Sequence, residues 1–147
     1  MPDTPKSPQE PAYALSIKQP WATLLIHGLK TIEVRRWPTS RRGRVFIHAA
    51  RVPDPRDEAW ALVPAELRGA AKLMGGILGS AHLSGCIAYR QKERFVADQR
   101  CHLNLPSWFD GSLLYGFSFT HPQVLPFRAY RGWMRFFPVT EELPAIL

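Results

Sequence analysis

The sequence is poor in cysteine, in long apolar runs and, over two stretches, in acid. Cys86 and Cys101 are its only cysteines. Two thiols are too few for a disulfide framework or a closed zinc site, so they read as reduced thiols, with Cys86 in a buried strand. No apolar run approaches the ~20 residues of a membrane-spanning helix, so no membrane partner is expected. No basic segment followed by an apolar one opens the chain. A signal peptide is therefore not expected, and the expected location is cytoplasmic. His27, His82, His102 and His121 show no ligand spacing, and there is no Gly-rich phosphate loop, G-x-S-x-G elbow or carboxylate pair. Metals and cofactors are accordingly not expected.

Acid is missing where base is dense. Val34 to Pro53 holds six arginines (Arg35, Arg36, Arg41, Arg42, Arg44, Arg51) and no acid; Gly111 to Thr140 holds three (Arg128, Arg131, Arg135) and again none. The acids gather in the tails and around Asp54, Asp57 and Glu58. With 19 Lys/Arg against 12 Asp/Glu, the formal net charge is +7. That balance favours a polyanionic partner, nucleic acid first. A solvated basic face with no partner is the plainer reading. Trp37, Phe46, Tyr130 and Trp133 interleave with the arginines, and bases stack on such side chains, which tilts the choice toward nucleic acid.

What is present is enough for one globular domain. Of 147 residues, 46% are hydrophobic, enough to bury a core, and the 14 prolines favour short elements over long helices. Residues 1–12 carry proline at Pro2, Pro5, Pro8 and Pro11 with little to bury, and read as a disordered tail. Residues 13–140 read as the domain and 141–147 as a C-terminal tail.

Within the domain, YALSI (13–17) reads as a strand. Trp21, Leu24, Leu25 and Gly28 fall on one face of a helix that Pro20 opens and Gly28 caps. TIEVRRW (31–37) alternates as a strand, with Thr31, Glu33 and Arg35 on one face and Ile32 and Val34 on the other. RVFIHAA (44–50) is apolar on both faces apart from His48, which places it centrally in a sheet. Asp54 to Met74 is expected to be helical. GGILGSAHLSGCIAY (75–89) reads as a long strand whose glycines predict bulges. Residues 90–112 are polar and irregular around a short helix. LLYGFSF (113–119) and VLPFRAY (124–130) are expected as separate strands joined tightly at His121-Pro122, and GWMRFFPV closes the set. The order β-α-β-β-α-β-β-β with non-local pairings predicts an α+β domain around a small, strongly bent sheet or barrel.

Three charges stand where core is expected. Lys30 follows the capping glycine, at the helix end nearest solvent. Glu33 and Arg35, two apart on a strand, project from one face ~7 Å apart. A carboxylate between two cations is a charge-balanced cluster, and an unpaired buried charge is costly. Two readings fit: an ion-pair network that fixes the helix–strand junction, or the polar floor of a ligand cleft. On the second, Lys30 meets a phosphate or base carbonyl, Glu33 accepts from an exocyclic amine, and Arg35 binds phosphate or orients Glu33.

LSIKQPWATLLIHGLKTIEVRRW resembles the ASCH (activating signal cointegrator homology) family of the PUA-like superfamily. Its G-x-K-x-x-E-x-R signature is met by Gly28, Lys30, Glu33 and Arg35. The preceding S-x-x-Q-P-W-A spans Ser16 to Ala22, and the resemblance runs over roughly residues 13–139. It implies a PUA-like β-barrel flanked by short helices, with a cleft beside the first helix lined by the signature. Ser16, Lys18 and Gln19 flank that cleft in the family, although Gln19 also suits a helix-start role. Trp21 is either an aromatic wall or plain core, and His48 reads as a satisfied strand histidine before a catalyst. Arg36 and Arg44 complete the candidate binding set. Family members are described as RNA- or DNA-binding modules, as parts of transcription coactivators and, in some bacteria, as enzymes. One small group cleaves the amide of acylated cytidine with a threonine where this chain has Glu33, so that activity does not carry over directly. The resemblance thus implies a module binding single-stranded RNA or DNA. The alternatives are a small hydrolase using Lys30 and Glu33 on RNA or a modified nucleoside, and a protein-interaction module of a transcription or RNA-processing complex. Nothing in the sequence specifies the oligomeric state.

Overall fold

A computed structural model describes residues 12–140. The two terminal tails expected above lie outside the described residues, except that Ala12 opens the first strand. Six strands form one sheet: β1 (Ala12–Ile17), β2 (Ile32–Arg35), β3 (Gly43–Ala49), β4 (Gly76–Tyr89), β5 (Leu114–Ala129) and β6 (Phe136–Val139). Their spatial order is β2-β5-β4-β3-β1-β6. Only β1 and β3 pair in parallel. The sheet curls into a half-barrel of the α+β, PUA-like kind. Four short helices cover it: α1 (Trp21–Ile26), α2 (Asp57–Trp60), α3 (Lys92–Ala97) and α4 (Gln99–His102). None is long and apolar enough to cross a membrane.

The core lies inside the curl. Leu15 and Ile17 of β1, Ile47 of β3, Leu83 of β4 and Phe117 of β5 are all inaccessible and pack against Leu24 and Leu25 of α1. Every residue of α1 is buried, so the helix sits within the molecule, not on its surface. Gly28 takes φ +79° beyond its end, a conformation that a side chain would strain. The turn folds Leu29 N–H and Lys30 N–H back onto the Leu24 carbonyl and aims the chain into β2.

Two expectations are corrected. Asp54–Met74 is not a continuous helix. It contains the single turn α2 and two 3-10 turns, Ala65–Leu67 and Ala70–Lys72. Pro64 lacks an N–H and disfavours helical backbone at Val63, so helix cannot propagate past α2. Nor does the chain reverse at His121-Pro122. Both residues lie inside the 16-residue β5, where His121 takes φ +52°. β4 is long enough to pair along nearly all of β5, and the ladder absorbs the irregularity as register shifts. The bulge expected on the glycine-containing β4 occurs between Leu83 and Gly85; at the other two shifts, opposite Ile77/Gly79 and Ser80/His82, the extra residues lie on β5.

Among the described residues, no backbone ladder closes the half-barrel. β2 and β6 are the sheet's edges, and side chains span the gap between them. Trp37, just after β2, meets the Phe136 ring of β6 edge-on at 5.6 Å. Arg35 donates from Nη2 to the Ser16 carbonyl of β1 at 2.5 Å.

Candidate nucleic-acid interface

The signature charges form one cluster. Lys30 Nζ donates to the His102 carbonyl at 2.6 Å. It lies 3.5 Å from Glu33 Oε1 and 4.6 Å above the Trp21 ring. On the far side, Arg35 Nε meets Glu33 Oε2 at 3.2 Å, without hydrogen-bond alignment. Burial is graded along the trio: about 1% of the Lys30 side chain reaches solvent, against 10% for Glu33 and 25% for Arg35. The expectation that Lys30 stands nearest solvent is therefore reversed. α4 closes over it, supplying the carbonyl acceptor from 72 residues away in sequence. Burial pushes the Lys30 ammonium down to about 8, against the raising influence of Glu33.

A pocket of about 190 Å³ opens beside this cluster, lined also by Lys18, Asp54, Arg56 and Asn104. Trp21 forms one wall, and its indole Nε1–H donates to Asp54 Oδ2 at 2.8 Å. Arg56 grips both Asp54 oxygens and stacks 3.6 Å over Trp108. Burial works to raise the Asp54 carboxyl, but the hydrogen bonds from Arg56 and Trp21 outweigh it and hold the group at about 2. Neither acid in this pocket is left without a cation.

Lys18 and Arg35 also line a second, larger cleft of about 650 Å³. Arg51, Arg131 and Arg135 bring its cations to five, and none of the described residues that line it is acidic. Trp37 and Trp133 supply aromatic surface, and Ser16 and His48 form part of the wall. Ser16 and His48 are register partners across β1 and β3. The His48 ring is inaccessible, and burial lowers its pKa, so the neutral imidazole is favoured. Nε2–H then donates to the Tyr130 carbonyl at 2.6 Å, and Nδ1 accepts from the Ser16 hydroxyl at 3.1 Å. With both nitrogens engaged, His48 fastens the segment just after β5 to β3 and has no free position for acid–base work.

Other candidates fall elsewhere. Gln19 is fully buried. It donates to the Ala70 and Leu73 carbonyls and accepts from Thr23 N–H, so it secures the start of α1. Arg36 and Arg44 do not line either cleft. Arg36 faces Asp110 at 3.9 Å, and Arg44 lies over Phe46. Asp54, Arg56, Asn104 and Met134 line the clefts but were not selected from sequence, whereas Trp133 was noted there only as one of several aromatics among the arginines. The acid-free stretches had already marked Arg51, Arg131 and Arg135.

The model of the ASCH domain family matches residues 15–137. The chain belongs to the ASCH domain family. Human activating signal cointegrator 1 is 35% identical over 98 residues, covering 56% of this chain and 16% of the human protein. The mouse cointegrator is 33% identical over the same shares. The chain thus spans only a small fraction of the length of the curated relatives it matches. Among solved structures, ASCH from Zymomonas mobilis superposes with a TM-score of 0.64 at 14% identity, over 88% of each chain. A single-residue variant of that protein gives 0.64 at 13% identity over 92% of each. At this identity the likeness is one of fold: the curled six-stranded sheet is the ASCH architecture.

Proposed function

We propose that this ASCH domain is an intracellular nucleic-acid-binding module that holds an unpaired nucleotide of single-stranded RNA or DNA. The carrying observation is the cleft in which Lys18, Arg35, Arg51, Arg131 and Arg135 converge beside Trp37 and Trp133 with no acid among the described lining residues. Converged cations attract a phosphodiester chain, and exposed aromatic faces accept bases that duplexes keep stacked. The charged pocket past Arg35 then receives polar base edges. Family membership and likeness to a transcription cointegrator support the same reading. Direct titration of fluorescent single-stranded RNA, single-stranded DNA, duplexes and free nucleosides tests it, with product analysis of the same samples. Salt-sensitive binding of single strands ahead of duplexes is expected, with substrate recovered intact. Equal, weak binding of all four would refute it.

The hydrolase reading gains less. The Lys30 amine is already committed to the His102 carbonyl, Glu33 and the Trp21 face. Turnover in those titrations would reverse this preference.

A further inference from the structure

We infer that the Arg131–Arg135 loop is a base-stacking clamp, with Trp133 and Trp37 as platforms for unstacked purines of a single strand. The inference rests on the nucleic-acid reading above and deepens it: the sequence marks Trp133 only as one of several aromatics among the arginines, and the loop's anchored geometry is what singles out its tip.

The loop has a fixed root and an exposed tip. At the root, the Tyr130 carbonyl receives the His48 N–H, Tyr130 N–H bonds to the Gly75 carbonyl, and the Tyr130 hydroxyl receives Thr140 N–H at 2.8 Å. Gly132 lies flat against the His48 ring: a Cβ there would come within 2.5 Å of Cε1. The tip then carries Trp133 and Met134 outward, 57% and 89% exposed. Large apolar side chains left in water on an anchored support mark a contact surface.

The two tryptophan faces are already covered by planar cations. The Arg131 guanidinium lies 4.5 Å over Trp133, and that of Arg135 lies 5.0 Å over Trp37. A guanidinium on an indole face occupies the position a nucleobase takes. When a base stacks there, the displaced guanidinium is already beside the phosphates that flank it. The exchange keeps both the aromatic contact and the positive charge in use. It requires a ligand that is flat and anionic together, which is the chemistry of a single strand. A base held in a duplex presents no face to the loop.

The test compares oligoadenylate about ten nucleotides long, as RNA and as DNA, with an abasic oligomer of equal length and with duplex. Wild type is expected to bind oligoadenylate at least roughly tenfold tighter than the abasic chain, the scale of one or two stacked bases. Trp133→Leu, apolar but without a π-face, is expected to remove most of that preference while leaving abasic binding unchanged. Trp133→Phe is expected to retain most of it, and circular dichroism is expected to show an unchanged fold for both. Whichever sugar shows the effect identifies the natural strand. Salt-sensitive binding with no base preference, or full preference in Trp133→Leu, would overturn the clamp and leave the nucleic-acid reading standing. Absence of binding to any oligomer would overturn both. Trp133-dependent binding to phosphatidylserine vesicles, with base-independent oligomer binding, would assign the tip to a membrane surface instead.

Discussion

Lys30 Nζ and Glu33 Oε1 face each other at 3.5 Å in a site that solvent scarcely reaches. Removing the ammonium leaves Glu33 with Arg35 alone and strips the His102 carbonyl of its donor. Breaking one partner of a buried pair strands the other. We therefore expect Lys30→Ala to lower unfolding stability by about 3 kcal/mol, measured by urea denaturation. A loss within the ~0.5 kcal/mol typical of surface substitutions would show that the cluster does not hold the fold.

Arg35 should behave differently, because its side chain is the most exposed of the three and borders both clefts. Water can screen the charge it leaves behind on Glu33. We expect Arg35→Ala to cost roughly 1 kcal/mol of stability but about 1–3 kcal/mol of affinity for a single strand, the scale of a charge-assisted contact. Unchanged affinity in a folded variant would remove Arg35 from the interface.

The depressed lysine carries a pH signature. Its folded pKa of about 8 lies below the ordinary 10.5, with burial driving it down, Glu33 raising it and Arg35 and Arg56 lowering it slightly. Between those values the unfolded chain still binds a proton that the folded chain has released. Stability relative to Lys30→Met should therefore rise across this window, by up to about 3 kcal/mol. Tyr89 opposes the trend, since burial and Asp98 push its phenol up, but it is common to both chains and cancels in the difference. Parallel stability curves from pH 7 to pH 10 would exclude a depressed lysine.

Asp54 gives the opposite limb. Its carboxyl, held at about 2 against an ordinary 3.8, stabilises the fold above pH 3.8, and the contribution disappears as pH falls through 2. Asn in its place can still accept the Trp21 indole but cannot pair ionically with Arg56. Because Arg56 is partly solvent-screened, we expect Asp54→Asn to cost about 1–2 kcal/mol at pH 7. Near pH 2 the difference should vanish, as judged by urea midpoints.

Salt provides a count of phosphate contacts. If three to five of the cleft cations Lys18, Arg35, Arg51, Arg131 and Arg135 meet phosphates, log K against log salt should slope between roughly −2 and −3.5, at ~0.7 per contact on a single strand. A flat response would remove the phosphate chain from the proposed complex.

Much of the fold was legible because it rests on local chemistry. The alternation of β2 and the left-handed glycine closing α1 both follow from residues close in sequence. Reading His121-Pro122 as a turn failed because proline signals a break in pairing, whereas here the length of β4 decided that the strand continues. The candidate site was legible in composition but not in geometry. A lysine just past a helix cap reads as exposed, and only packing brings the His102 carbonyl over it. Asp54 looked like an ordinary helix-start acid, since its partner Trp21 is 33 residues away. Trp133 and Met134 gave no periodic signal at all, because a side chain's exposure on a loop is set by what anchors the loop's root.

The side-chain closure between β2 and β6 makes the barrel's seam and its proposed binding groove the same place. Arg35 and Trp37 bridge strands that no backbone ladder joins, and both also line the larger cleft. An occupant there would act as a rivet across the two free margins of the sheet. Ligand free energy would then appear directly as resistance to unfolding, growing with the logarithm of ligand concentration above Kd. A melting curve thereby becomes a ligand detector, able to rank oligonucleotides that carry no label.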